Sequence, residues 1–196
     1  MAWQYNGTSP YTTQEFKENN AREFYNYFNG VYYSLNAIAG MLGNIQTESG
    51  INPTSEGTGG GGLCGWTPIS RIADWASNAG MDWHDGDTQC LFIDLCDDGH
   101  GGSHWFGNNL APEISGLPST PPITWFDFST SQETPETLAQ YFMYYYEHPA
   151  RTSIENTMNA RMSQARQWYE FLGGQPTPPT PSETQSMPLY MMLRYY

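Results

Sequence analysis

The sequence predicts one mainly α domain of the α+β class, and three observations support this. Several stretches repeat apolar residues at the three-to-four-residue spacing of a single helix face. Most of these stretches start at typical capping residues and stop at glycine or proline. A short Gly-rich run between two of them indicates a mobile loop or an irregular hairpin. With 196 residues the chain has room for one ordinary domain and a tail.

The first helix is expected to start at a capping box formed by Thr12 and Glu15 and to stop at the Asn29-Gly30 pair. Between these points the large apolar residues fall on one face of a helix. They are Phe16, Phe24, Phe28 and Val31. The pattern therefore predicts an amphipathic helix packed on the core.

The second helix is predicted from near Ser34 to Gly50, where an Asn-Pro pair also follows. Its apolar stripe consists of Leu35, Ile38, Ala39, Leu42 and Ile45. Glu48 falls in or just beyond the last turn. The helix dipole disfavours negative charge at that end, so a carboxylate there attracts attention as a functional candidate.

The middle of the chain is less regular. Residues 54–62 form the Gly-rich run, and Thr67-Pro68 resembles an N-cap followed by a first-turn proline. Asp87 is predicted to cap a further short helix that runs through Cys96. Residues 97–131 are rich in Gly, Pro, Ser and Trp and are predicted to form a long loop with packed aromatic side chains.

Two helices are predicted in the last part of the domain. One starts at Thr134-Pro135 and continues through Tyr146, and the other runs from near Ser153 to the Gly173-Gly174 pair. The predicted domain therefore covers residues 1–174. A Pro/Thr/Ser-rich linker follows at 175–187, and an apolar segment at 188–196 is expected to begin a second module or to dock on a partner.

Charge and hydropathy exclude several classes of partner. Seven Lys and Arg against 20 Asp and Glu give a net charge of −13, which repels nucleic acid and anionic wall polymers. No stretch approaches the roughly 20 apolar residues that a spanning helix needs. Neither a nucleic-acid nor a membrane partner is expected.

The cysteines leave one chemical alternative open. Cys64, Cys90 and Cys96 cannot all pair within one chain. Cys90, Cys96, His100 and His104 are residue types that bind zinc, but their spacing differs from the usual finger and ribbon motifs. We therefore expect no metal and no cofactor, with a metal site kept as the minor alternative.

Three motifs carry a family resemblance. They are NAIAGMLGNIQTESGINP at 36–53, GLCGWTP at 62–68 and TPETLAQYFMYYYEHP at 134–149. In this order they resemble the phage tail lysozyme family, and together they frame residues from about 12 to 172. The resemblance implies a lysozyme-like fold, with a glycan-binding cleft and the Gly-rich loop or small hairpin beside the catalytic helix. Cys64 and Gly65 depart from the family pattern before Trp-Thr.

The resemblance also implies which residue carries the chemistry. The glutamate of the E-S-x-x-N-P segment is the family's catalytic acid, and this position is Glu48 here. Glycosidic hydrolysis requires a protonated carboxyl beside the leaving oxygen, and a second carboxylate or a positioned water for the cationic transition state. Glu56 lies in the right segment for the second role, although a solvated loop glutamate is the alternative.

Three further residues are predicted to contact the substrate. Trp66 and Thr67 match the second motif, and Trp66 is expected either to stack on a sugar ring or to serve as a core ring. Tyr144 is the candidate from the third motif. Glu147 is expected to be structural and held by an arginine or by backbone donors.

The resemblance implies a peptidoglycan glycosidase, specifically a muramidase that cleaves the β-1,4 bond between N-acetylmuramic acid and N-acetylglucosamine. It would act at the phage tail tip and open the host wall for genome delivery. Its partners would be the glycan strand and, through the C-terminal linker, other tail subunits or a second wall-hydrolase module. The alternatives are a lytic transglycosylase acting on the same bond and a non-catalytic glycan-binding or structural tail module.

Overall fold

A computed structural model describes residues 2–96, 99 and 102–173. It has a mainly α fold with one two-stranded hairpin, as the sequence predicts. The elements in chain order are α1 (Gln14–Asn29), α2 (Leu35–Ser49), β1 (Glu56–Gly57), β2 (Gly60–Gly61), α3 (Ser70–Asn78), α4 (Gly86–Leu95), α5 (Leu110–Ser115), α6 (Trp125–Thr130), α7 (Pro135–Phe142), a π-helical turn (Met143–Glu147) and α8 (Arg151–Gly173). The predicted linker at 175–187 and the segment at 188–196 lie outside the described residues.

Helix α2 lies at the centre of the fold, because ten of its fifteen residues are buried. Helices α7 and α8 pack against it, and two of its glycines allow the close approach. A Cβ atom at Gly40 would come within 2.9 Å of Leu138 on α7, and one at Gly43 within 2.4 Å of the Arg161 carbonyl oxygen on α8. The absence of side chains at these two positions fixes the end of α2, and Glu48 with it, relative to α8.

Several helix ends follow the predicted signals. Ser34 caps α2 by accepting a hydrogen bond from the Ala37 amide at 3.0 Å, and Gly50 closes the helix in the left-handed conformation. Thr134 caps α7 with Pro135 in its first turn. The helix predicted through Tyr146 continues beyond α7 as the π turn.

Three predicted caps are wrong by one or two residues. Thr13, and not Thr12, caps α1, because the Thr12 hydroxyl instead donates to the Gly50 carbonyl at 2.8 Å. Asp85, and not Asp87, caps α4, since the Asp87 carboxylate accepts from the Trp3 indole at 2.8 Å. Helix α3 starts at Ser70, so Thr67 does not cap it.

The predicted loop at 97–131 contains two short helices, α5 and α6, which sequence periodicity did not reveal. Helix α6 starts with a capping box in which Thr124 and Asp127 satisfy each other's backbone amides. The aromatic packing predicted for this region is present. The rings of Trp105, Trp125 and Phe128 lie 5.1–5.2 Å apart between centroids.

The Gly-rich run folds into an irregular hairpin, one of the two predicted forms. Glu56 pairs with Gly61 and Gly57 pairs with Gly60 in antiparallel register. The hairpin follows α2 directly and therefore lies beside Glu48. Within the described part of the chain, no helix combines the length and apolar character needed to cross a bilayer.

Candidate active site

Glu48 lies in the last turn of α2, immediately before the left-handed Gly50. Its side chain is 27% exposed, so the carboxyl is accessible but largely surrounded by protein. Gly65 faces it, and a Cβ atom there would come within 3.0 Å of Glu48 Oε2. The glycine in this departure from the family motif therefore keeps space open beside the carboxyl.

Two pockets meet at Glu48. The larger has a volume of about 540 Å³ and the smaller about 200 Å³. Glu48, Gly65 and Thr67 line both of them. The two pockets are therefore adjacent and have Glu48 on their shared wall, and together we call them the cleft. Two adjoining pockets can hold neighbouring units of a chain-like ligand.

The smaller pocket is bounded by the hairpin. Exposed Glu56 on β1 lines it together with Glu48, and its backbone amide donates to the Thr8 carbonyl at 2.9 Å. The fold therefore brings the two predicted carboxylates to the same pocket. Whether Glu56 acts in a reaction remains a prediction.

The larger pocket contains an aromatic pair that sequence reasoning did not select. The Phe106 ring stacks on His148 with a centroid distance of 3.7 Å and an interplanar angle of 12°. Phe106 is 49% exposed, whereas burial lowers the pKa of His148 and favours the neutral imidazole. An uncharged stacked pair with one exposed ring can offer a platform to a sugar face.

Arg161 on α8 binds the Glu48 carboxylate from the protein interior. Its side chain is only 1% exposed, and its Nη1 atom lies 2.5 Å from Glu147 Oε2 and 3.0 Å from Asn44 Oδ1. Arg161 Nε donates to the Thr157 hydroxyl at 2.9 Å. One buried guanidinium therefore joins two carboxyl groups that line the same pocket.

Glu147 is at the end of the π turn, an irregularity that occurs often at functional sites. Its side chain is 4% exposed, and within the described residues Oε1 has no hydrogen-bond partner. Burial raises the pKa of Glu147 to about 8, although Arg161 opposes the shift. The expected arginine partner of Glu147 is confirmed. The sequence did not predict that Glu147 also lines the larger pocket.

The predicted substrate-binding residues have different placements. Thr67 is exposed and lines both pockets. Trp66 lines the larger pocket but is 4% exposed and packs edge-on against Phe92, so the core alternative describes it better than a free stacking surface. Tyr144 lies in a second core cluster, where its hydroxyl contacts Ser115, and it lines neither pocket. The structure therefore does not support Tyr144 as a substrate contact.

Arg161 was missed although the sequence contains a signal for it. The buried residues of α8 form the stripe Ile154, Arg161, Ala165, Trp168 and Leu172. Helical spacing of apolar residues instead selects Met158 and Met162, which are only half-buried. A single arginine on an otherwise apolar stripe signals a buried partner, because an isolated buried charge is costly.

The metal alternative finds no support in the described part of the chain. There, no three His, Cys, Asp or Glu side chains are grouped closely enough to hold a metal ion. His100, one of the four residues considered, lies outside the described residues. Cys64 and Cys90 are buried free thiols, and Cys96 is also buried.

The fold and cleft agree with what sequence comparison finds. A sequence profile described as phage tail lysozyme matches residues 19–172. The chain belongs to the phage tail lysozyme family. It is also 32% identical over 162 residues to "Morphogenesis protein 1" of Bacillus phage B103, covering 79% of this chain and 40% of that protein. The chain thus spans less than half of the length of that relative.

Proposed function

We propose that the protein is a peptidoglycan glycosidase, specifically a muramidase that hydrolyses the β-1,4 bond between N-acetylmuramic acid and N-acetylglucosamine. The observation that carries the proposal is the position of Glu48 on the wall shared by two adjacent pockets. Family membership supports the glycosidase class. A strand lying along the cleft would present a glycosidic oxygen to the Glu48 carboxyl.

In this mechanism Glu48 protonates the glycosidic oxygen, and the C–O bond to the leaving sugar breaks as positive charge develops on the ring. Glu56, or a water that it orients from the smaller pocket, acts on the opposite face of the ring. Thr67 borders both pockets and contacts the strand near the scissile bond. None of these steps requires a cofactor.

The biological role that we propose is local opening of the host wall from the tail tip during genome delivery. The partners are the glycan strand and other tail subunits or a second wall-hydrolase module, reached through residues 175–196. The name of the phage B103 relative and the family support a virion-associated module. The greater length of that relative is compatible with further modules.

The test is digestion of purified peptidoglycan with the wild-type protein, Glu48→Gln and Glu136→Gln, followed by analysis of soluble fragments. Glu136 forms an ion pair with Arg166 outside the cleft, so its variant is the matched control. We expect fragments with reducing N-acetylmuramic acid ends from the wild type and the control, and none from Glu48→Gln.

Two other outcomes would contradict the proposal, and each would support a different function. Fragments with 1,6-anhydro ends would indicate a lytic transglycosylase, in which the sugar's own 6-hydroxyl takes the place of water. Binding to peptidoglycan without release of fragments by any of the three proteins would indicate a non-catalytic glycan-binding or structural tail module.

A further inference from the structure

We infer that Glu147 is a positioning residue for Glu48, because through Arg161 it supplies the counter-charge that allows Glu48 to hold the proton it donates. The inference rests on the proposed function, since it assigns a partner to the proposed acid. It assigns Glu147 no contact with the reacting atoms.

The geometry consists of three charged groups in contact. Arg161 is buried between the two carboxyl groups, with Nη2 on Glu48 and Nη1 on Glu147. Nη1 also donates to Asn44 and Nε donates to Thr157, so Arg161 is held in place and cannot simply turn away from either carboxyl. The protonation of one carboxyl therefore affects the other.

The neutral form of the cluster holds a proton only when both carboxyls are present. Arg161 remains protonated, and a largely buried cluster is most stable when its net charge is zero. With two carboxyls, the neutral cluster has one ionised and one protonated carboxyl, so a proton is available. With Glu48 alone beside Arg161, the neutral cluster has an ionised Glu48 and no proton to donate.

The raised pKa of Glu147, about 8 because of burial, is consistent with a cluster that keeps one proton through neutral pH. The two carboxyls interact and titrate as a pair, so the value belongs to the cluster. In the state that reacts, Glu48 carries the proton and ionised Glu147 neutralises Arg161.

The other groups around the cluster leave this balance unchanged. Burial raises the pKa values of the Cys64 thiol and the Tyr146 phenol, and burial lowers that of His148, so all three favour their neutral forms near pH 7. His104 stacks near the Tyr146 ring on the pocket wall. Arg71 on α3 is the other permanent charge among the described residues of the larger pocket, and it is present in every variant compared.

The kinetic test is the pH profile of kcat/KM on soluble peptidoglycan fragments for the full chain, Glu147→Gln and Glu136→Gln. Glutamine keeps the shape of the side chain and cannot supply the counter-charge. We expect the fall of kcat/KM at high pH (the alkaline limb) to move to lower pH by roughly 1 to 3 units in Glu147→Gln, the size of shift that a neighbouring charge produces in a carboxyl.

Comparing Glu147→Gln with the control Glu136→Gln separates an effect of charge balance from an effect on the structure. Glu136→Gln removes an ion pair of the same type outside the cleft and should leave the limb in place. A lower rate in Glu147→Gln with an unmoved limb would assign Glu147 a structural role and overturn the inference.

A second measurement needs neither activity nor a folded Glu147 variant. Carbon-13 NMR can follow the glutamate carboxyl carbons of the full chain through a pH titration. We expect one resonance to titrate near pH 8 in the wild type and to become acidic in Glu48→Gln, because Glu147 then pairs alone with Arg161. A transition that stays near pH 8 in Glu48→Gln would show that burial alone sets it, and would overturn the inference.

The two proposals fail in different ways. Unchanged release of fragments by Glu48→Gln would refute Glu48 as the acid, whatever the titration shows. Loss of activity in that variant, combined with an unmoved limb in Glu147→Gln, would leave the muramidase proposal standing and remove the role of Glu147.

Discussion

Phe106 is the most exposed aromatic side chain among the described residues that line the larger pocket, and its ring stacks on His148. We predict that Phe106→Ala raises KM about fivefold with a smaller change in kcat, since a lost stacking contact is worth about 1 kcal/mol. Steady-state kinetics on soluble glycan fragments measures both constants. Phe126→Ala removes a ring that is somewhat more exposed and lines neither pocket, and should change neither constant. Equal effects of the two variants would refute a subsite at Phe106.

Glu147 links stability to pH, and the sign follows from the raised pKa. A carboxyl whose pKa is higher in the folded than in the unfolded state favours folding below its unfolded value, and this contribution is lost as the pH rises toward about 8. We predict that the wild type loses more than about 1 kcal/mol of unfolding free energy relative to Glu147→Gln between pH 5 and pH 9. Urea unfolding of both proteins at both pH values measures this difference. An equal change in unfolding free energy in the two proteins would contradict the raised pKa of Glu147.

At the scale of elements, the approach of α8 to α2 depends on Gly43. A Cβ atom there would lie 2.4 Å from a backbone oxygen that cannot move independently of α8. We predict that Gly43→Ala destabilises the fold by about 1–3 kcal/mol, despite the better helix propensity of alanine. Gly57→Ala is the control, because nothing lies within 4 Å of its Cβ position. Urea unfolding of both variants measures the difference. Equal urea midpoints for Gly43→Ala and Gly57→Ala would show that α8 does not depend on close packing at Gly43.

Elements with strong local signals could be predicted from the sequence. Ser34 and Gly50 mark the ends of α2, and Thr134-Pro135 marks the start of α7, because each signal acts within a few residues of itself. Helices α5 and α6 are six residues long, too short to establish a helical period.

The site could be predicted only in part. The family motif selects Glu48 as the candidate acid. Glu56 could be selected as well, because the Gly-rich run follows α2 closely in the sequence. The ion pair between Glu48 and Arg161 joins residues that are 113 positions apart, which no local pattern specifies. Tyr144 was selected from a run of three tyrosines that are all buried, and Tyr146 is the member that lines the larger pocket.

At the scale of the whole molecule, the net charge of −13 opposes approach to an anionic cell wall. We predict that the isolated protein digests walls carrying anionic polymers faster as salt rises from about 10 mM to about 150 mM, because screening shortens the range of repulsion. The rate on peptidoglycan stripped of those polymers should depend less on salt. Release of soluble fragments measures both rates, and equal salt dependence would contradict a role for global repulsion.

The most direct test of the central claim is to digest peptidoglycan in water enriched in oxygen-18 and weigh the new N-acetylmuramic acid ends. Hydrolysis adds the oxygen of water to the sugar carbon of the broken glycosidic bond, so we expect each new reducing end to gain one labelled oxygen in the wild type. Glu48→Gln should release no labelled ends. New ends without label, or labelled ends released equally by Glu48→Gln, would contradict hydrolysis by Glu48 in this cleft.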